Sequence, residues 1–232
     1  MRIEVPADAE AVARRAASLI AELAREAVAR RGRFSLATSG GATPWRMLRI
    51  LAGEDVPWSH VHLFQVDERV APAGHHDRNL THLSASLLGT ACLPAGHLHA
   101  MPVEAPDLED AAARYAAELR DVAGSPAVLD LVHLGLGVDG HTASLVPGDP
   151  ALQVTGDDVT VAGPYQGRRR MTLTYPVLDR ARCILWVVTG SDKAPALERL
   201  RRGDRTIPAG RVRSDRAIIL ADAAASGTRA SP

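Results

Sequence analysis

The chain has 232 residues with 27 basic and 27 acidic side chains, so its formal net charge is zero. That length suits one α/β domain with a full core, and the missing basic excess argues against a nucleic-acid partner, which the single basic run GRRRM at 167–171 does not reverse. No apolar run nears the about 20 residues a bilayer span needs, no secretory apolar stretch opens the chain, and Cys92 and Cys183 lack CxxC spacing; the expectation is a cytoplasmic protein with reduced thiols and no membrane contact.

The first element is an amphipathic helix over 8–31, in which Val12, Ala16, Leu19, Ile20, Leu23 and Ala27 recur at spacings of three and four. Asp8 is its N-cap and Gly32 its stop. FSLAT (34–38) is a strand that runs into SGGATP, and Pro44 sits in the first turn of a helix over 44–52. HVHLFQV (60–66) is the next strand, ending at DER (67–69). A loop rich in Pro, Gly and His leads to a helix over 79–90, and LEDAAARYAAELRDVAG (108–124) is another helix. Strands follow at 129–137, 170–176 and 183–190. A helix capped by Ser191 covers 191–203, and the last strand is 216–222. Residues 223–232 are small and polar and read as a flexible tail, leaving 1–222 as a single domain.

Strands and helices thus alternate, and the strands at 129–137 and 183–189 are apolar on both faces. This predicts a doubly wound α/β fold with a mostly parallel sheet and helices on both faces. Ligands in such folds bind beyond the carboxyl ends of the strands. Four unusual loops fall there: 39–44, 67–79, 135–147 and 190–193.

Each loop carries its own chemistry. In TSGGATP two glycines let backbone N–H groups converge at a helix N-terminus, which favours an anion such as phosphate, with Ser39 and Thr43 adding hydroxyls. No Gly-Lys-Ser/Thr follows, so it is not a Walker A loop. In DERV, Arg69 has the planar fork that grips phosphate, or else pairs with Asp67 or Glu68. Gly135, Gly137 and Gly140 spell G-x-G-x-x-G, but Pro147 and Gly148 come too soon for the long helix a dinucleotide fingerprint opens. His141 suits general-base work, with Asp139 two residues away to orient it. Ser144 is not in a G-x-S-x-G elbow. Arginine dominates the positive charge, which singles out Lys193, placed on a helix's first turn against the dipole, a conflict that an anionic ligand relieves. His75, His76 and Asp77 are potential metal ligands, but adjacent histidines point apart and no i, i+4 partner is present, so no metal is expected.

Together SGGATP (39–44), DERV (67–70) with Asn79 downstream, LGLGVDGHTASLVPG (134–148), RMTLTYP (170–176) and TGSDKA (189–194) resemble the 6-phosphogluconolactonase family, in the family's order and over nearly the whole chain. The resemblance implies a fold shared with glucosamine-6-phosphate deaminases and ribose-5-phosphate isomerases. It implies hydrolysis of 6-phospho-D-glucono-1,5-lactone to 6-phosphogluconate in the oxidative pentose phosphate route, with no metal or organic cofactor. The related deaminases carry DGHIAFNEP, whose glutamate before the proline serves ring opening; here Val146 takes that position, which favours the lactonase over a deaminase-like isomerase. The alternative of a non-catalytic sugar-phosphate sensor needs the phosphate loops but neither His141 nor Asp139.

The implied site has His141 as base on water and Asp139 positioning it. Ser39, Gly40, Gly41, Ala42, Thr43, Arg69, Arg170 and Lys193 hold the phosphate, and Asp67 and Asn79 complete the substrate site. Which of Arg69, Arg168, Arg169, Arg170 and Lys193 touches phosphate, and whether Asp139, Asp67 or Glu68 partners the histidine, stays open in the sequence. The expected partner is a small sugar-phosphate lactone, and the expected state a monomer.

Overall fold

A computed structural model describes residues 1–227. Ten strands form: β1 (Arg2–Glu4), β2 (Phe34–Thr38), β3 (Val61–Gln65), β4 (Asp67–Arg69), β5 (Leu98–His99), β6 (Leu131–Leu134), β7 (Val159–Tyr165), β8 (Arg168–Leu173), β9 (Ile184–Val188) and β10 (Ala217–Ala221). The helices are α1 (Ala9–Arg31), α2 (Ala42–Leu51), α3 (Asn79–Leu83), α4 (Leu108–Ala123), α5 (Tyr175–Arg180), α6 (Ala194–Arg201) and α7 (Ala223–Ser226).

Seven strands make a parallel sheet in the order β1-β10-β9-β6-β2-β3-β5. Successive residues of a strand point to opposite faces, and here both faces are apolar. Leu36, Leu63, Leu131, Leu185 and Leu220 join one core cluster, with α1 and α2. Their neighbours Ala37, Phe64, Val132, Trp186 and Ile219 join the other, with α4, α5 and α6. This is the two-sided burial that the continuous apolar runs predict.

α1 runs as expected: Asp8 Oδ1 accepts from the Ala11 N–H at 2.7 Å, and Gly32 ends the helix at φ 74°. α2 begins two residues earlier than expected, at Ala42, behind Gly41 at φ 135°, a value open to glycine and closed to most side chains. The helix expected over 79–90 is α3 followed by a π-helical turn, Ser84–Leu88. Ser191 makes no cap; it lies in a 3-10 turn, Ser191–Lys193, that leads into α6. Residues 223–226, expected as the start of a tail, form α7, capped by Asp222 and packed on α6 with Ala225 buried. The rest of that tail, 228–232, lies outside the described residues.

The strand expected at 170–176 forms at Arg168–Leu173, but in a separate antiparallel sheet, β4-β8-β7. Its partner β7 has no counterpart in the sequence reading, because Gly163 and Pro164 interrupt the pattern. The hairpin between them turns on Gln166 and Gly167, both with positive φ (54° and 77°), as two-residue hairpin loops require.

At the N-terminal ends of the strands, Asp130 ties β2 to β6. Its carboxylate accepts from the Ser35 N–H at 2.9 Å and the Ser35 hydroxyl at 3.0 Å, and Arg31 closes on it at 2.8 Å. Asp130→Ala removes these acceptors and leaves a buried N–H unpaired, so urea denaturation is expected to show a loss of about 1–3 kcal/mol. An unchanged midpoint would show that the tie carries no stability.

Candidate active site

β2 and β6 are neighbours, yet the chain leaves them toward different faces. After β2 it enters α2 on one face, and the segment after β6 reaches α5 on the other. A crevice opens between the two departing loops, at the point where strand order reverses. A cavity of about 380 Å³ lies there.

All four predicted loops contribute to its lining, the 67–79 stretch through β4 and Asn79, and β8 adds Arg170. Ser39, Gly40, Gly41, Ala42 and Thr43 line it from the start of α2. Ala42 and Thr43 occupy the first helical positions, where backbone N–H groups have no intrahelical partner, and no side chain caps them. Gly40 is required by contact: a Cβ there would stand 2.1 Å from Asn79 Oδ1. Ser39 is held by β6, with its N–H on His133 Nδ1 at 3.2 Å and its hydroxyl on the His133 carbonyl at 3.0 Å. Burial pushes His133 down to about 4, so the ring is neutral; with Nδ1 accepting, Nε2 carries the proton and is buried without a partner.

β4 and β8 bring the arginines. Their register pairs Arg69 with Arg170 and Asp67 with Thr172, so Asp67, Arg69 and Arg170 share a face, and that face lines the cavity. Glu68 points the other way. It is fully buried, pairs with Arg78 at 3.2 Å rather than with Arg69, and accepts the N–H groups of Asn79 and Leu80 at the start of α3. Asn79 is thereby fixed to receive Arg69 Nη1 at 2.8 Å and to donate to the Asp67 carbonyl at 2.9 Å. The Ser144 hydroxyl, also buried, donates to Asp67 Oδ2 at 2.6 Å, and Arg170 Nη1 lies 3.9 Å from the same oxygen. Arg69 Nε and Arg170 Nε are buried with no hydrogen-bond acceptor, which is costly unless a ligand supplies one. Arg168 and Arg169 are occupied elsewhere, by Asp77 at 2.9 Å and Glu109 at 3.0 Å.

Lys193 lines the cavity from the opposite side and is the only lysine in the chain. Its loop is anchored by Gly190, whose N–H reaches both oxygens of Asp222 at 3.1 Å. Thr189 joins it to the glycine loop through a 2.7 Å bond between its hydroxyl and that of Thr43. Thr189 and Asp192 are lining residues that the sequence reading missed.

The histidine loop follows β6. The Gly137 N–H donates to the His141 carbonyl at 2.8 Å, and the Gly140 N–H to the Gly137 carbonyl at 3.0 Å. A Cβ on Gly137 would stand 2.0 Å from His141 Nδ1, and one on Gly140 2.6 Å from Ile207. Two glycines of the G-x-G-x-x-G pattern, Gly137 and Gly140, therefore make room for a histidine and for a neighbouring loop, while a Cβ on Gly135 would meet nothing. No α-helix opens after them; the next helical piece is a 3-10 turn at Pro150–Gln153.

His141 lines the cavity at 23% side-chain exposure. Its Nδ1 is 2.6 Å from Asp139 Oδ1, and Asp139 also accepts the His141 backbone N–H at 3.1 Å. Burial opposes the Asp139 charge, but the two His141 contacts and the Tyr165 hydroxyl outweigh it and hold the carboxyl below the usual carboxylate range. The ionised carboxylate only accepts, so His141 Nδ1 is the donor and Nε2 is left as the basic nitrogen. Asp67 and Glu68 are engaged elsewhere, so Asp139 is the histidine's partner. Every predicted site residue except Asp139 lines the cavity, and Asp139 stands behind His141.

His75, His76 and Asp77 lie outside the cavity lining. The expectation that adjacent histidines point apart is wrong here. The rings stack at 4.3 Å, and ligand atoms of the three residues gather within 4.8 Å. Arg168, 2.9 Å from Asp77, already supplies positive charge there.

Residues 7–220 match the family model described as glucosamine-6-phosphate isomerases/6-phosphogluconolactonase. A 6-phosphogluconolactonase from Synechocystis sp. is 40% identical over 176 residues, covering 74% of this chain and 73% of the relative. The crystal structure of 6-phosphogluconolactonase from Thermotoga maritima superposes with a TM-score of 0.85 at 26% identity, covering 95% of this chain and 98% of that one. A monomeric glucosamine-6-phosphate deaminase shares the fold, with a TM-score of 0.83 at 20% identity over 99% and 100% of the two chains.

The unpartnered arginine nitrogens give the cavity positive charge and open donors suited to an anion. Inorganic phosphate at about ten times its Kd is expected to stabilise the folded chain by about 1.4 kcal/mol, read as a rise in Tm. Arg170→Ala is expected to lose that rise; an equal rise in the variant would place the anion elsewhere.

Proposed function

Because the chain belongs to the glucosamine-6-phosphate isomerase/6-phosphogluconolactonase family, we propose that it carries out lactone hydrolysis of the 6-phosphogluconolactonase kind with His141 as the base. The substrate is 6-phospho-D-glucono-1,5-lactone, and the reaction belongs to the oxidative pentose phosphate route. The observation that carries the residue roles is one cavity that holds unsaturated cationic donors and a carboxylate-oriented histidine together.

The phosphate sits on the free N–H groups of Ala42 and Thr43, with Arg170 and Lys193 supplying charge and Arg69 held ready by Asn79. Anchoring the far end of the sugar orients C1 toward His141. His141 Nε2 takes a proton from water as the water oxygen bonds to C1. The tetrahedral oxyanion is stabilised by nearby donors, a contribution that reaches several kcal/mol in such sites. As the C1–ring oxygen bond breaks, the imidazolium returns the proton to that oxygen. The net change is one water added across the ester bond, with the new carboxyl ionising to solvent. Asp139 holds the neutral ring in the tautomer with its proton on Nδ1, so that Nε2 faces the water, and balances the imidazolium that forms in between. The Ser144 hydroxyl, committed to Asp67, is not needed as a nucleophile.

Val146 stands where the deaminases carry the glutamate of their DGHIAFNEP stretch. A hydrocarbon side chain offers no acid–base group there, which supports the lactonase over ring opening and isomerisation. The same proposal has the chain acting in the cytoplasm as a monomer. Among the described residues no helix is long and apolar enough to cross a membrane, and the exposed large hydrophobic side chains are Met1, Val5 and Val138.

With spontaneous ring opening subtracted, His141→Ala is expected to cut lactone hydrolysis by at least ~100-fold. A folded variant as fast as the wild type would remove His141 as the base. A second expectation concerns D-glucono-1,5-lactone without its phosphate, which should lose kcat as well as raise KM, since the lost binding energy orients C1. Equal kcat on both lactones would sink the anchoring role.

A further inference from the structure

Behind the His141–Asp139 pair stands a tyrosine that the sequence pattern hides. Tyr165 ends β7, and its hydroxyl donates to Asp139 Oδ2 at 3.2 Å, the oxygen His141 does not use. Its ring meets the His141 ring edge-on, with centroids 5.1 Å apart and planes at 62°. On its other side the Arg170 guanidinium lies 5.1 Å from the ring centroid, and Arg170 Nη2 donates to the Tyr165 carbonyl at 3.2 Å.

This placement depends on an irregularity in the β7–β8 ladder. Ala162 pairs with Arg170, and Tyr165 pairs with Arg168, so three steps on β7 match two on β8. Strict alternation would put Tyr165 on the face opposite Ala162 and Arg170. The extra residue reverses its parity and turns it onto the Arg170 face. The Gly163 N–H in the bulge is held by Asp149 Oδ2 at 2.9 Å. A Cβ at Gly163 would stand 2.9 Å from that oxygen, so glycine keeps the bulge closed.

From this geometry we propose that Tyr165 is a positioning residue of the lactone reaction: it fixes the Asp139 carboxylate for His141 and links that pair to Arg170. The proposal rests on the lactonase reading above. A carboxylate with one fixed oxygen still rotates; with both oxygens engaged, Oδ1 stays on Nδ1. The hydroxyl also draws negative charge from Asp139, so the imidazolium formed during turnover is balanced without being held too strongly. The titratable and charged groups around Asp139 are His141 on its own loop and Tyr165 on β7, with Arg170 on β8 behind the phenol ring. Burial, then the Asp139 charge and its hydrogen bond, push the Tyr165 phenol up against the opposing effect of Arg170.

Tyr165→Phe keeps the ring over Arg170 and removes only the hydroxyl. We expect kcat to fall about three- to tenfold, the scale of a hydrogen bond to a charged group acting indirectly, with KM little changed. The acid limb of the pH–rate profile, which reports the histidine–aspartate pair as a unit, is expected to move to higher pH, because an Asp139 without the hydroxyl stabilises the imidazolium more. A purely structural role would not move that limb. A second measurement needs no substrate. The ultraviolet phenol titration step that disappears in Tyr165→Phe is expected to move to lower pH in Asp139→Asn. Wild-type kcat with an unmoved acid limb in Tyr165→Phe would overturn the proposal, as would a phenol step unchanged in Asp139→Asn. If the wild-type protein does not hydrolyse the lactone at all, the lactonase reading falls and the reaction role falls with it, while the phenol titration still decides whether the two side chains are coupled.

Discussion

The site depends on one topological fact: the chain changes its direction of travel across the sheet between β2 and β6. Parallel strands with both faces buried leave no room for a ligand within the sheet. Only where adjacent strands send their continuations to opposite faces does backbone leave space at the carboxyl ends. The glycine loop after β2 and the histidine loop after β6 border that space. Ser39, bonded twice to His133 of β6, fastens one loop's root to the other strand. The free N–H groups at the start of α2 and His141 therefore have a fixed separation, which the proposed catalysis by orientation needs.

Electrostatics builds the rest in layers of buried charge. Glu68 is fully buried and contacts no ligand space, yet it organises the α3 N-terminus, and through Asn79 it fixes Arg69. Asp67 anchors Ser144 and Asn79 and faces Arg170. Burial disfavours the Arg170 charge, Asp67 restores part of it, and Arg69 opposes it again. Two close guanidiniums, each with an unpaired buried Nε, form a cationic wall that is incompletely satisfied by the protein itself. A phosphate dianion matches that deficit in charge and in acceptor number. The second, antiparallel sheet builds that wall: its three strands carry Asp67, Arg69, Arg170 and Tyr165 to one side.

Much of this is legible in the residues alone. The apolar strands, the Asp8 and Gly32 boundaries of α1 and the alternation that implies a doubly wound sheet follow from local rules, because periodicity and capping are local physics. The glycine turn at 39–44, the Asp139–His141 pair and the isolated Lys193 were visible as local conflicts: residues that serve no core and need a ligand to make sense. Local patterns fall short where pairing is non-local or where Gly and Pro interrupt a strand. The strand at Arg168–Leu173 was seen but not its antiparallel setting, since register with β4 spans about a hundred residues of chain. β7 was missed altogether, and with it Tyr165, whose facing is set by a bulge that no alternation pattern displays.

The sequence by itself therefore determined the long helices, the central strands of the sheet, the resemblance to the family and most of the polar groups that meet in the cavity. These are properties of short stretches, carried by side-chain type and spacing. Tertiary structure alone decided which of the competing basic residues face the cavity and which carboxylate partners His141. It sent Arg168 and Arg169 outward to Asp77 and Glu109 and left Arg69 and Arg170 with open donors. It also committed Asp67 to Ser144 and Glu68 to α3, leaving Asp139 for the histidine. The physical reason is the same in each case: a charged side chain's role is set by which partner the fold brings within hydrogen-bonding reach. That depends on register and burial across strands far apart in the chain, not on neighbours along it.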